Sequence, residues 1–423
     1  MSTMARRMWR AGQSSGGAGG GLRLSVSGNG RYFQNQSGEP FLVVADTCWT
    51  LMVGVSLADA KQYIDIRSSQ GYNAILTNIV AFSRTQSGPR GTAFIGGDIT
   101  QWNSSYFDGI DEIVAHAASK GVIIFLNGIW MADNGGWAGG SAPSNGDMAT
   151  FGTMVGNRYK NVDNIVYFIG GDEQADEVWN PIKAYADALE AADPAHIKTY
   201  HPRWDSYAQT SGETWLDFNA FQRNDNTSPY LNQETQAGYA LSPTRPIFCI
   251  EPPYDPNTAI GGIDTTPALN RDNVWGTALA GALGIAYGGP IETWNIGNST
   301  GGVIDTNALD RTAAYETGYA GQILSQYNWQ LLVPNNALVT GNQGSGRSQI
   351  YTAAAPNGSL IVSYVPTQRT FTLNASGLST TGTARWHDPT TGTQMGGTQS
   401  VTAASGQSIT SPGGGDSVLV ITA

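Results

Sequence analysis

The sequence is poor in charge, in cysteine and in histidine. Of its 423 residues only 13% are charged, and it contains two cysteines and four histidines. Both cysteines, Cys48 and Cys249, lie in apolar segments, so we expect two buried thiols rather than a disulfide. Neither His-x-x-His nor Cys-x-x-Cys spacing occurs, which argues against a zinc centre. We therefore predict no metal ion and no other cofactor.

Long apolar runs and an excess of positive charge are also missing. No run of 18 apolar residues occurs, so we expect no membrane span. The net charge of -11 argues against a nucleic-acid partner, because phosphate binding requires a basic surface.

The first residues lack the apolar core of a secretory signal, and residues 12–21 form a Gly-rich, flexible leader. This pattern predicts a cytoplasmic, non-classically exported or virion-associated protein. The oligomeric state does not follow from the sequence.

Strand-like and helix-like segments alternate from residue 22 to about residue 330. Eight apolar segments are predicted to be strands, at residues 40–46, 72–80, 122–127, 164–174, 197–201, 216–221, 246–251 and 283–287. Their number and order predict an α/β fold, a (β/α)8 TIM barrel. An open doubly wound sheet is disfavoured because no Gly-x-Gly-x-x-Gly turn follows the first strand.

The remaining residues have a different pattern. After residue 331, short strand-like segments at 349–353, 359–365, 370–374, 382–387 and 417–421 are separated by Gly, Ser, Asn and Pro. This pattern predicts a small antiparallel β-sandwich that packs against the barrel. The expected domains are thus a leader (1–21), a barrel (22–330) and a sandwich (331–423).

The fourth and seventh predicted strands, like the first, lead into carboxylates. Residues 164–174 (NIVYFIGGDEQ) form an apolar strand that breaks at two glycines and continues into Asp172 and Glu173. The seventh strand ends in Glu251. Strands of one barrel open onto the same mouth, so an acid of strand four and Glu251 are predicted to meet there. Glycoside cleavage needs such a pair, and a retaining mechanism needs a separation of about 5–5.5 Å.

The other strand ends supply mainly amides, carboxylates and aromatic rings. Amides and carboxylates bind sugar hydroxyls, and Trp stacks on the C–H face of a sugar, so carbohydrate is the predicted ligand. The candidate substrate-binding residues are Asp46, Trp49, Asn78, Asn127, Trp130, His201, Arg203, Trp204, Gln222, Tyr254, Glu292 and Trp294.

Several of these residues have an alternative interpretation. Asp46 could cap a loop or pair with Arg203, and His201 could be a core histidine. Trp130 and Trp204 are equally compatible with packing in the wall, and Glu292 with a supporting role.

Several short motifs, taken in their order, resemble the apiosidase-like glycoside hydrolases. They are residues 41–49 (FLVVADTCW), 106–111 (YFDGID), 170–172 (GGD), 199–202 (TYHP) and Glu251. Residues 384–392 (ARWHDPTTG) and 416–421 (DSVLVI) resemble the small β-domain, labelled collagen-binding, that accompanies them.

The resemblance implies a (β/α)8 enzyme with Asp172 as acid/base and Glu251 as nucleophile. The adjacent Glu173 leaves the identity of the acid open. Ala45 and Cys48 depart from the family pattern, which more often has Gly and a small residue there. Members act on several pentose-bearing glycans, so the resemblance does not identify the sugar.

The sequence is therefore compatible with two functions. The first is a retaining glycoside hydrolase that acts on a plant, microbial or surface polysaccharide. The alternative is a non-catalytic glycan-binding or structural component, for example of a phage particle, that uses the same cleft. Collagenolysis has only the label of the β-domain in its favour.

Overall fold

The larger part of the molecule is built around eight parallel strands. The computed structural model describes residues 22–80, 83–128, 130–131, 143–172, 175–223, 230–256, 265–298 and 300–423. The strands are β1 (Val43–Thr47), β2 (Ala74–Asn78), β3 (Ile123–Asn127), β4 (Ile165–Gly170), β5 (Lys198–His201), β6 (Asn219–Gln222), β7 (Ile247–Glu251) and β8 (Gly284–Tyr287).

These strands close into a barrel in chain order. Six of them pair in the order β5-β4-β3-β2-β1-β8, and β6 pairs with β7. Backbone hydrogen bonds of 2.9 Å bridge both gaps, from Asp217 to Lys198 and from Leu283 to Ile247. The predicted (β/α)8 barrel is confirmed.

A helix follows each barrel strand. The helices are α1 (Leu57–Ser69), α2 (Ser104–Ser119), α3 (Asn145–Tyr159), α4 (Ala175–Ala192), α5 (Tyr207–Thr210), α6 (Tyr230–Tyr239), α7 (Pro267–Ala278) and α8 (Thr312–Ser325). Side chains of Ser56, Ser144 and Thr266 cap three of them by accepting a backbone N–H.

Shorter elements decorate the barrel. Short helices span Leu51–Gly54, Ile291–Trp294 and Thr306–Leu309, and short strands span Ser25–Val26, Phe33–Gln34, Pro40–Phe41, Ser87–Gly88 and Gly91–Thr92. Within the described ranges, no helix has both the length and the apolar character needed to cross a membrane.

Aromatic rings fill the barrel interior. Phe125 of β3 lies 5.9 Å from Phe248 of β7 and 6.3 Å from Phe218, measured between ring centroids. Phe33, from the segment before β1, contacts Phe218 at 5.2 Å. All four rings are buried. The interior is therefore a packed core, and ligands have access only at its ends.

The C-terminal part is the predicted antiparallel β-sandwich. Its strands are β9 (Val333–Pro334), β10 (Val339–Gly341), β11 (Tyr351–Ala354), β12 (Leu360–Val365), β13 (Thr370–Leu373), β14 (Gly382–His387), β15 (Gln394–Val401), β16 (Gln407–Thr410) and β17 (Ser417–Thr422). One sheet has the order β9-β11-β12-β17-β14-β15 and the other β10-β13-β16. Phe371 and Trp386, from opposite sheets, share the core between them.

The sandwich packs on two helices of the barrel. Trp275 of α7 stacks on Tyr364 of β12, with centroids 6.0 Å apart and planes at 9°. Arg271 of α7 donates to Glu316 of α8 at 2.7 Å and to Asp416 of the sandwich at 2.6 and 2.9 Å. The domain limits at residues 21/22 and 330/331 stay predictions, and residues 1–21 lie outside the described part of the chain.

A carboxyl group lies partly buried just before β6. Asp217 accepts a hydrogen bond of 2.8 Å from the backbone N–H of Lys198. Burial raises the pKa of Asp217 from an ordinary 3.8 to about 6, although the Lys198 amide opposes the shift. The folded state therefore binds this proton more tightly than the unfolded chain does.

We expect the Asp217→Asn variant to be more stable than the wild type above pH 6 and equally stable near pH 4. Because the folded-state pKa is the higher one, the wild type loses up to about 3 kcal/mol as the pH rises from about 4 to 6. Asn keeps the acceptor oxygen and carries no charge. Urea unfolding from pH 4 to 7.5 measures the difference.

The matched control is Asp187→Asn, which removes an exposed carboxylate paired with Lys183 at 3.1 Å. Its effect should stay below about 1 kcal/mol. An Asp217→Asn difference that does not change with pH would contradict the assignment.

Candidate active site

A turn of unusual backbone conformation follows β4. Gly170, Gly171 and Asp172 have φ of +92°, +142° and +48°. A Cβ on Gly170 would lie 2.3 Å from the ring of Tyr200, and one on Gly171 would lie 2.7 Å from the ring of Trp130. Only glycine fits at these two positions. The non-glycine residue Asp172 is thus held in the left-handed region, which is uncommon for a residue with a side chain and recurs at active sites.

Two buried amides tie this turn to the neighbouring strand ends. Asn127 Nδ2 donates to the carbonyl of Gly170 at 2.8 Å and to Asn78 Oδ1 at 2.9 Å. Asn78 Nδ2 donates to the carbonyl of Trp49 at 3.0 Å. Both amides are fully buried. The sequence predicted Asn78 and Asn127 as sugar contacts, but here these side chains link the ends of β1 to β4.

Glu251, the last residue of β7, is held by a buried hydrogen-bond chain. Its Oε1 accepts from the Tyr254 hydroxyl at 2.5 Å, and that hydroxyl accepts from Trp49 Nε1 at 2.8 Å. Burial raises the pKa of Tyr254 well above its usual range, and the charge of Glu251 adds to the shift. Tyr254 therefore remains a hydrogen-bond donor at neutral pH.

The two predicted carboxylates and a histidine converge at the barrel mouth. His201, the last residue of β5, has Nε2 3.2 Å from Glu251 Oε2. One oxygen of Asp172, one ring nitrogen of His201 and one oxygen of Glu251 all lie within 4.8 Å of one another. This group combines an acid pair with a set of atoms that could also hold a cation.

Aromatic rings surround His201 on several sides. Centroid distances from its ring are 5.2 Å to Trp130, 5.5 Å to Trp49 and 5.8 Å to Phe168. Trp49 and Trp130 are buried and pack against each other at 5.1 Å. They form a wall beside the carboxylates. Trp294 is partly exposed and contacts Tyr254 at 5.4 Å.

The rim after β5 and β6 is more open. Trp204 is 47% exposed, and the guanidinium carbons of Arg223 and Arg203 lie 5.2 and 6.0 Å from its ring. Arg223 is paired with Glu234 of α6. The backbone N–H of the buried Gln222 donates to the carbonyl of Trp204 at 2.9 Å. Glu292 lies partly exposed on the short helix after β8.

Asp46 requires a correction. Its Oδ2 accepts from Arg67 Nε at 2.6 Å and from the Tyr63 hydroxyl, and the carboxylate is fully buried. It therefore pairs with α1 and not with Arg203. The side chain faces the helix layer, as Val44 does, and is therefore not positioned to contact a sugar at the barrel mouth. Arg67 was missed, although it follows Ala60, Tyr63 and Ile64 on the buried face of α1.

Glu173, the second acid of the strand-four turn, lies outside the described residues.

Comparison with solved structures identifies the class of this fold. A glycoside hydrolase superposes with a TM-score of 0.82 at 22% identity, covering 95% of this chain and 96% of that one. A family 5 glycoside hydrolase from Bacteroides vulgatus ATCC 8482 gives 0.81 at 20% identity, covering 95% and 93%. At this identity the likeness is one of fold. No curated protein matches the chain.

Comparison with protein families is more specific. Residues 27–330 match "Apiosidase-like, catalytic domain" and residues 333–422 match "Putative collagen-binding domain of a collagenase". The first match covers well over half of the chain, so the protein belongs to the apiosidase-like glycoside hydrolase family. Fold and family together support glycoside hydrolysis.

We expect the Gly171→Ala variant to lose at least about 1–3 kcal/mol of stability. Alanine is strained at φ +142°, and its Cβ would overlap the ring of Trp130. Denaturant unfolding measures the loss. Gly212→Ala is the control, because no heavy atom lies within 4 Å of its added Cβ, and we expect a change within about 0.5 kcal/mol. Equal unfolding free energies for the two variants would refute the steric argument.

Proposed function

We propose that this protein is a retaining glycoside hydrolase in which Asp172 is the acid/base and Glu251 the nucleophile. The observation that carries the proposal is the approach of their carboxylate oxygens to within 4.8 Å. Retaining enzymes separate their carboxyl groups by about 5–5.5 Å, whereas inverting enzymes need about 6.5–9.5 Å to admit a water. The short spacing supports the retaining reaction.

The reaction has two steps. The sugar binds with its anomeric carbon at Glu251 and its glycosidic oxygen at Asp172. Asp172 gives its proton to the leaving oxygen while Glu251 attacks the anomeric carbon, so that a glycosyl ester forms as the C–O bond breaks. Asp172 then removes a proton from water, the water attacks the ester, and Glu251 is released as carboxylate.

The neighbouring residues prepare this pair for the reaction. The Tyr254 hydroxyl donates a hydrogen bond to Glu251 and fixes its orientation. The buried wall of Trp49 and Trp130 limits water on one side. The exposed ring of Trp204 offers a stacking face for a sugar of a plant, microbial or surface polysaccharide. The remaining sugar contacts that we propose are His201, Arg203, Gln222, Glu292 and Trp294.

The domain roles follow the two family matches. We assign hydrolysis to the barrel at residues 22–330 and a supporting role to the sandwich at residues 331–423. Support for this division comes from the location of both carboxylates at barrel strand ends.

We expect Glu251→Gln and Asp172→Asn each to reduce turnover by about 10²–10⁴-fold, because each removes a group that takes part in bond making or proton transfer. The assay is nitrophenol release from a panel of 4-nitrophenyl pentosides and hexosides. NMR of the first product should show a retained anomeric configuration. Glu112→Gln, a change at an exposed glutamate of α2, is the control and should retain full activity.

Two outcomes would contradict this proposal. Full activity of Glu251→Gln would exclude the nucleophile, and an inverted product would exclude the retaining mechanism. If a glycan array shows binding while no glycan releases reducing ends, the protein is a glycan-binding module instead.

We expect Tyr254→Phe to lower kcat by about 10–100-fold. A hydrogen bond to a charged group contributes about 1.5–3 kcal/mol, and its loss leaves Glu251 less well oriented. The rate of aryl glycoside hydrolysis tests this. Tyr315→Phe is the control, since that hydroxyl bonds Asp310 at an exposed site. Equal rates for the wild type and Tyr254→Phe would show that the hydroxyl has no part in catalysis.

A further inference from the structure

Two buried atoms at the barrel mouth are placed as metal ligands are. Glu251 Oε2 and His201 Nε2 lie 3.2 Å apart, and neither accepts or donates a hydrogen bond within the described part of the chain. Tyr254 bonds only the other oxygen of Glu251. Their side chains are 6% and 0% exposed. No hydrogen bond therefore accounts for the short distance between Glu251 Oε2 and His201 Nε2.

The distances agree with tetrahedral coordination of a zinc ion. Zinc binds nitrogen and oxygen at about 2.0–2.2 Å, which places neighbouring ligand atoms about 3.4 Å apart. The Glu251–His201 pair already has nearly this spacing. One oxygen of Asp172 lies within 4.8 Å of a ring nitrogen of His201 and of a carboxylate oxygen of Glu251, so an approach of at most about 1.4 Å would bring it to this spacing.

The donor set also points to zinc. Imidazole is a preferred ligand of zinc, whereas magnesium and calcium prefer oxygen alone. Two close carboxylates repel each other, and a dication between them reverses that repulsion. Within the described ranges, no other three His, Cys, Asp or Glu side chains meet in this way.

We propose that Asp172, His201 and Glu251 bind Zn²⁺, with water or a sugar hydroxyl as the fourth ligand, and that the ion reversibly inhibits the protein. The inhibition rests on the proposed function, because the ion engages the carboxylates that would serve as nucleophile and acid/base. Metal binding itself does not depend on that function. A bound ion would occupy the space that the anomeric centre of a substrate needs, so zinc and substrate should compete.

Equilibrium dialysis tests the binding directly. The full chain, stripped with EDTA and dialysed against ZnCl2, should take up one zinc ion. Both His201→Gln and Glu251→Gln should weaken uptake at least tenfold, and thermal unfolding should show that each is folded. His116→Gln is the matched control, since that histidine is a surface residue paired with Asp65, and its zinc affinity should stay within twofold of the wild type. Absence of stoichiometric uptake by the wild type, or wild-type zinc affinity in either His201→Gln or Glu251→Gln, would overturn the site.

Cobalt gives a spectroscopic measurement. Co²⁺ in place of zinc should produce the intense visible absorption of a tetrahedral site in the wild type and in His116→Gln. The band should be lost in His201→Gln. A band of equal intensity in all three proteins would overturn the assignment of His201 as a ligand.

Hydrolysis of an aryl glycoside tests the inhibition separately. Zinc should raise KM without changing kcat, and EDTA should restore the original KM. Zinc uptake with an unchanged KM would overturn the inhibition. Zinc uptake by a protein that hydrolyses no glycoside would support the metal site and overturn only the proposed function.

Discussion

The hydrogen-bond chain from Trp49 through Tyr254 to Glu251 is the interaction on which the arrangement of the barrel mouth depends. A carboxylate buried among aromatic rings is costly unless donors satisfy it. Tyr254 supplies one donor, and its own hydroxyl is oriented by Trp49, which follows β1, two strands away from β7 around the barrel. The indole is in turn packed against Trp130. The conformation of Glu251 is thereby coupled to residues that follow β1 and β3.

The sandwich has a comparable effect on the outer layer of the barrel. Helix α7 is buried on almost every side, because α6 and α8 lie next to it and the sandwich packs against it as well. Polar residues such as Arg271 consequently lie inside an interface, where Glu316 and Asp416 balance the charge. A helix in such a position needs no polar face. The sandwich therefore completes the packing of α7, and the two parts share the hydrophobic cluster at their interface.

The barrel and the carboxylate pair could be predicted from sequence, because apolar segments mark the strands and strand ends of one barrel must meet. Helix α6 and strand β15 could not. Their sequences, YLNQETQAGY and QMGGTQSV, are largely polar, and tertiary contacts rather than propensity decide their structure. The direction in which a polar side chain points could not be predicted from the sequence either. Asn127 and Asp46 both belong to strands. Asn127 links the ends of neighbouring strands, whereas Asp46 points to the helix layer and forms an ion pair with Arg67.

The left-handed backbone at Asp172 also restricts which acid can serve there. Among residues with a side chain, Asp and Asn adopt positive φ most readily, because their short polar groups can bond the local backbone. Glutamate, with a longer side chain and no such bonding, is disfavoured at φ +48°. The geometry of the turn thus selects aspartate before any chemical requirement applies. A longer acid at this position would add about 1–2 kcal/mol of backbone strain.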